Sequence, residues 1–121
     1  HAMAHQLGGF YNLPHGVSNA ILLPHVCEFN LIACPDRYAI IAQLMGVNTE
    51  GLTVTEAAFA AIDAIRELSS SIGIPSGLAE LGVKAEDHAV MTSNAQKDAC
   101  MLTNPRKATD AQVIKIFESA M

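Results

Sequence analysis

The chain has 121 residues, of which half are apolar, 16% charged and 5% aromatic, and its net charge at pH 7 is −5. That length holds one hydrophobic core, and so much apolar surface excludes a disordered chain, which lacks the burial to offset ordering entropy. The acidic balance argues against nucleic acid as a partner, because clustered Lys and Arg are needed to displace phosphate counterions. Nineteen alanines and no Trp favour helix over sheet. Ala gives up least side-chain entropy in a helix and offers little to a pleated surface.

In chain order, His1–Leu7 reads as the last turns of a helix closed by Gly8-Gly9, with Phe10–Pro14 as a loop. A second helix is expected from His15 to Ala33, with Val17, Ala20, Ile21 and Leu31 inward and a kink or restart at Pro24. Pro35 opens a third, burying Tyr38, Ile41, Ala42 and Met45 before Gly46. Thr53 and Glu56 form a capping box ahead of Ala58, Ala61, Ile62, Ile65, Leu68 and Ile72, which recur at helical spacing until Gly73 and Pro75. Ser76–Leu81 is a short helix or turn closed by Gly82. Ala85–Cys100 is expected to be one helix, followed by a loop at Asn104-Pro105-Arg106. A second capping box, Thr109 and Gln112, opens the last helix, which should bury Val113, Ile114, Phe117 and Met121. No window alternates as a strand does. The expected fold is all-α.

No apolar run approaches the ~18 residues of a membrane span, and no basic stretch with an apolar segment behind it marks a secretory signal. Cys27, Cys34 and Cys100 form no CxxC pair, a pattern that suits reduced thiols and a cytoplasmic setting. As isolated positions they read as small buried hydrophobes. The chain opens on His1 rather than Met, as expected of a piece of a longer protein.

Five histidines carry whatever chemistry there is. His1 and His5, four apart, project from one helix face and can share a metal or line one pocket, although such spacing also arises by chance. His15 sits between Pro14 and Gly16 at a helix entrance, where it can either ligate a metal or cap the helix. His25 reads as a core or boundary histidine, and His88, beside Glu86 and Asp87, as solvated surface.

The continuous stretch from His1 to Gly16, HAMAHQLGGFYNLPHG, resembles the histidine signature of the iron-containing (group III) alcohol dehydrogenases. Asn19–Val26, Ser71–Pro75, Lys97–Cys100 and Thr103–Arg106 extend the resemblance along the chain, with the bacterial ethanol, 1,3-propanediol and lactaldehyde branch as its best likeness. The resemblance implies an oxidoreductase that moves hydride between a primary alcohol or aldehyde and NAD at a divalent iron site, Zn²⁺ being possible. Residues 1–121 would form the C-terminal part of the metal-binding helical domain, bundle-like, of a dehydroquinate synthase-like fold. The N-terminal dinucleotide-binding domain, with its GGGS-type loop, would lie outside this chain. So would two further metal ligands, an Asp and a His. Carried over by position, His1 and His15 are metal ligands, His5 is the catalytic residue near the nicotinamide, and His5 and His15 border the cofactor. Cys100 falls near the substrate pocket. These 121 residues alone would then be inactive, and the parent would be a homo-oligomer. The other reading is a non-catalytic helical module that packs or binds a partner, its histidines structural. A self-contained metalloprotein is disfavoured, because no Asp or Cys stands near the histidines at a suitable spacing.

Overall fold

In a computed structural model describing residues 1–121, six α-helices and several 3-10 turns carry the chain, with no strand. They are α1 (Ala2–Tyr11), α2 (His15–Asn30), α3 (Pro35–Leu44), α4 (Val54–Ser71), α5 (His88–Ala95) and α6 (Asp110–Ser119). The all-α expectation holds. Both capping boxes form: Thr53 Oγ1 accepts from the Glu56 N–H at 3.1 Å, and Thr109 Oγ1 from the Gln112 N–H at 3.3 Å. In each, the longer side chain reaches back to the cap's own N–H.

Three elements depart from the sequence reading. Helix α1 runs through Gly8 and Gly9 and ends at Tyr11, where Asn12 turns left-handed with φ 52°. Glycine lowers helix propensity by only ~1 kcal/mol, and both flanks are anchored: Leu7 is fully buried, and the Tyr11 hydroxyl donates to Asp87 while accepting from the Lys84 N–H. The expected helix over 85–100 is broken into a 3-10 turn (Ala85–Asp87), α5, and a second 3-10 turn (Ala99–Thr103). Asp98 causes the second break, since its carboxylate accepts the Cys100 N–H at 2.8 Å and so caps a new turn instead of continuing the old one. The third departure is His88. It is not solvated but 3% exposed, its ring stacked on Phe117 at 5.5 Å. With the helix starting at position 88, His88, Met91, Thr92 and Ala95 share its buried face.

Two cores result. The larger joins α1, the first half of α2, α5 and α6, with Leu7, Met91, Val113 and Phe117 at its centre and Leu78 completing it. The smaller lies under the α3–α4 pair and comprises Cys27, Leu31, Tyr38, Ala58 and Ile62. Pro24 lies within α2 and is buried, and the helix continues past it to Asn30 without a restart. The chain end is tied down where the Leu78 N–H meets the Ala120 carbonyl at 2.8 Å. Only glycine fits beside it, since a Cβ on Gly77 would stand 2.2 Å from the Met121 carbonyl oxygen.

Four residues expected inside are exposed: Ile41, Met45, Leu68 and Ile72. Val17, Ala20, Ile65, Ile114 and Met121, also expected inside, are half-buried. Leu44 is 82% exposed and Ile40 lies on the same open face of α3. No helix is long and apolar enough to cross a membrane.

Candidate metal centre

The site is built at one end of the larger core, where two helices meet across three residues. His1 is the N-cap of α1 and His5 stands one turn further on. The left-handed Asn12 and the extended Pro14 (φ −58°, ψ 132°) then fold the chain back, so α2 begins with His15 against its two predecessors. Ring centroids lie 5.3 Å apart for His1 and His15, 5.4 Å for His5 and His15, and 6.2 Å for His1 and His5. One nitrogen from each ring falls within 4.8 Å of the others, and all three residues are exposed.

Two of the rings are held by side chains the sequence reading did not nominate. Asn19, one turn along α2, places Nδ2 2.9 Å from His15 Nε2. Asp98 places Oδ2 2.7 Å from His5 Nδ1, while its Oδ1 takes the Cys100 N–H. The His5 hydrogen bond, and after it the Cys100 N–H, hold the Asp98 carboxyl below its ordinary value. An ionised carboxylate accepts only, so Nδ1 carries the proton and the lone pair of His5 is on Nε2. Asp98 is 93 positions from His5 in the chain. No local spacing signals such a pair; only the fold of the 3-10 turn against α1 brings it about.

The donor set suits a divalent ion of borderline softness. Imidazole nitrogens are good ligands for first-row metals, and His1 and His15 bring two of them together from different helices. The residues present therefore fit the group that the histidine signature implies.

Beside the rings opens a cleft of about 290 Å³, lined mainly by apolar side chains, among them Leu22, Val26, Phe29 and Met101, with His1 and Cys100 also on its wall. Cys100 is exposed there, not a buried hydrophobe; of the three cysteines only Cys27 is buried, and Cys34 is half-buried. The Asn104-Pro105-Arg106 loop closes one side. Asn104 and Asn30 exchange amide hydrogen bonds at 2.8 Å, while Arg106 donates to the Phe29 carbonyl at 2.8 Å and stacks 4.0 Å above its ring. His25 takes no part. It is half-buried at the edge of α2, where burial, and after it the Arg66 guanidinium, hold its ring below the ordinary value. The expectation that nearby Asp and Cys are lacking is overturned as well, since Asp98 and Cys100 both reach His5.

A helical domain presenting three clustered imidazoles beside a small apolar cleft defines a class by its arrangement, that of helical domains with a candidate metal centre. Within it the match is specific: the profile described as "Fe-containing alcohol dehydrogenase family, C-terminal" covers residues 1–121, and the chain belongs to that family. It is 53% identical over 120 residues to 1,3-propanediol dehydrogenase of Citrobacter freundii, covering 99% of this chain and 31% of the relative. It is 46% identical over 121 residues to the NAD-dependent methanol dehydrogenase of Bacillus methanolicus, covering 100% of this chain and 32% of the relative. A crystal structure of 1,3-propanediol oxidoreductase superposes with a TM-score of 0.99 at 53% identity, over 100% of this chain and 32% of that one. The chain thus spans about a third of the length of the relatives it matches.

Proposed function

We propose that these residues are the metal-binding and substrate-side part of an NAD-dependent alcohol dehydrogenase that interconverts a primary alcohol and its aldehyde. The carrying observation is the 5.3 Å approach of His1 and His15 from two different helices. These two rings would hold a divalent ion, iron or alternatively zinc, together with ligands outside the 121 residues. When bound, such an ion supplies Lewis-acid polarisation of the substrate oxygen, and the nicotinamide serves as hydride carrier.

The remaining work belongs to this chain's own side chains. Asp98 fixes the tautomer of His5, and the free lone pair at Nε2 accepts the hydroxyl proton and returns it to solvent. His5 and His15 would border a bound nicotinamide, and His5 could use the same nitrogen to hydrogen-bond the cofactor ribose instead. The apolar cleft takes the carbon chain of a small substrate, with Cys100 on its wall. Two imidazoles alone bind metal weakly, so the 121 residues by themselves are expected to be inactive.

The test is alcohol oxidation with NAD by the full-length protein that carries these residues. Replacing His5 with Ala should lower kcat by about 10²–10⁴-fold, and Asp98→Asn by about 10–100-fold, with smaller changes in the KM for alcohol. Unchanged kcat in both variants would remove the proton-transfer role.

A further inference from the structure

His5 belongs to two clusters at once. On one side it faces His1 and His15; on the other, its own donor atom and those of Asp98 and Cys100 lie within 4.8 Å of one another. We propose that His5, Asp98 and Cys100 form a second cation site, selective for thiophilic divalent ions such as Zn²⁺ or Cd²⁺, and that its occupation switches off His5. The binding part stands without the dehydrogenase reading; the switching part rests on it.

The geometry needs little adjustment. Zinc bonds of ~2.0 Å to N and O and ~2.3 Å to S put tetrahedral donor atoms about 3.3–3.6 Å apart. The His5–Asp98 pair stands at 2.7 Å and must open by roughly 0.6 Å, while the Cys100 sulfur, within 4.8 Å of both, must close by roughly 1.2 Å at most. The two ligands from the 3-10 turn are already tied together, because the Cys100 N–H holds the Asp98 carboxylate at 2.8 Å. Within these 121 residues Cys100 is exposed on the wall of the cleft, so an ion that enters the cleft reaches it without unfolding. Three protein ligands leave the fourth position to water, and the thiolate sets the preference for soft ions over Mg²⁺ or Ca²⁺.

The proton balance gives the consequence. The ion replaces the hydrogen between His5 Nδ1 and Asp98 Oδ2, and the thiol releases one proton to solvent. The imidazole stays neutral by carrying its proton on Nε2 instead. The nitrogen that accepted a proton becomes a donor, and His5 can no longer act as a base.

The probe is Cd²⁺, titrated into the full-length protein and read by sulfur-to-cadmium charge-transfer absorption. One equivalent should produce the band. Cys100→Ser should abolish it, Asp98→Asn should weaken binding about tenfold or more, and the His1→Ala/His15→Ala double variant should retain it. Thermal melts of each variant check that these surface changes leave the fold intact. Alcohol oxidation should fall as the band grows; a full band without inhibition would sink the switching role alone. No band in the parent protein, a band surviving Cys100→Ser, or a band lost with His1 and His15 would overturn the site.

Discussion

The two cores of the domain are built on opposite terms. The α3–α4 side carries the plainest sequence signal, a capping box followed by apolar residues at helical spacing, yet its core is five residues and its outer faces leave Ile40, Leu44 and Phe59 in the open. The α1–α2–α5–α6 side has weaker patterns everywhere but in α6, with two glycines inside α1, a proline inside α2 and a buried histidine opening α5, yet it buries fourteen residues and carries every candidate ligand. The lesson is that amphipathic regularity marks a helix that packs on one face only. Helices α1 and α2, enclosed on several sides, read as irregular, and enclosure is what holds a site still.

The largest effect should come from the enclosed side. Phe117 is fully buried and stacked on His88, so Phe117→Ala should cost about 3–5 kcal/mol in denaturant unfolding. A cost below about 1 kcal/mol would mean that this core is not the one that organises the domain. A smaller effect belongs to the seam, where His25 on α2 sits near Arg66 of α4. The folded state holds this ring below its ordinary value of 6.5, so below about that pH the unfolded chain takes up the proton first. The contribution of His25 is therefore intact above about pH 6.5 and is lost as pH falls through the window beneath it. Melting temperature against pH should show this slope, and His25→Gln should flatten it; an unchanged slope would place the titration elsewhere.

The smallest effect on folding is expected on the open side. Leu44→Ser should change the stability of the 121-residue chain by no more than ~0.5 kcal/mol. It should instead reduce self-association, which exposed apolar patches drive. Sedimentation of the unsubstituted 121 residues as a monodisperse monomer would contradict the second expectation.

Much of the fold was legible because caps and breakers are local. Thr53, Thr109 and Pro35 begin helices where their chemistry requires, and all six helices were visible in the sequence, four of them near their true bounds. What escaped was whatever depends on the far side of the chain. Gly8 and Gly9 do not end α1, because Leu7 and Tyr11 are anchored by distant partners. His88 looked solvated because its charged neighbours stand beside it in sequence, while Phe117 lies beside it only in space. The histidine set was readable from the long opening motif and its family resemblance, and the structure brings those three rings together. Asp98 and Asn19, which hold two of them, were not readable as such, since a carboxylate at a helix break carries no mark of the ring it will meet.

His1 and His15 are proposed to share one ion. The direct measurement is metal content of the full-length protein after gel filtration, with iron and zinc counted per chain in the parent and in the His1→Ala and His15→Ala forms. About one ion per chain in the parent and near none in either variant, with thermal melts showing an intact fold, is the expected result. A full complement of metal retained in either variant would contradict it.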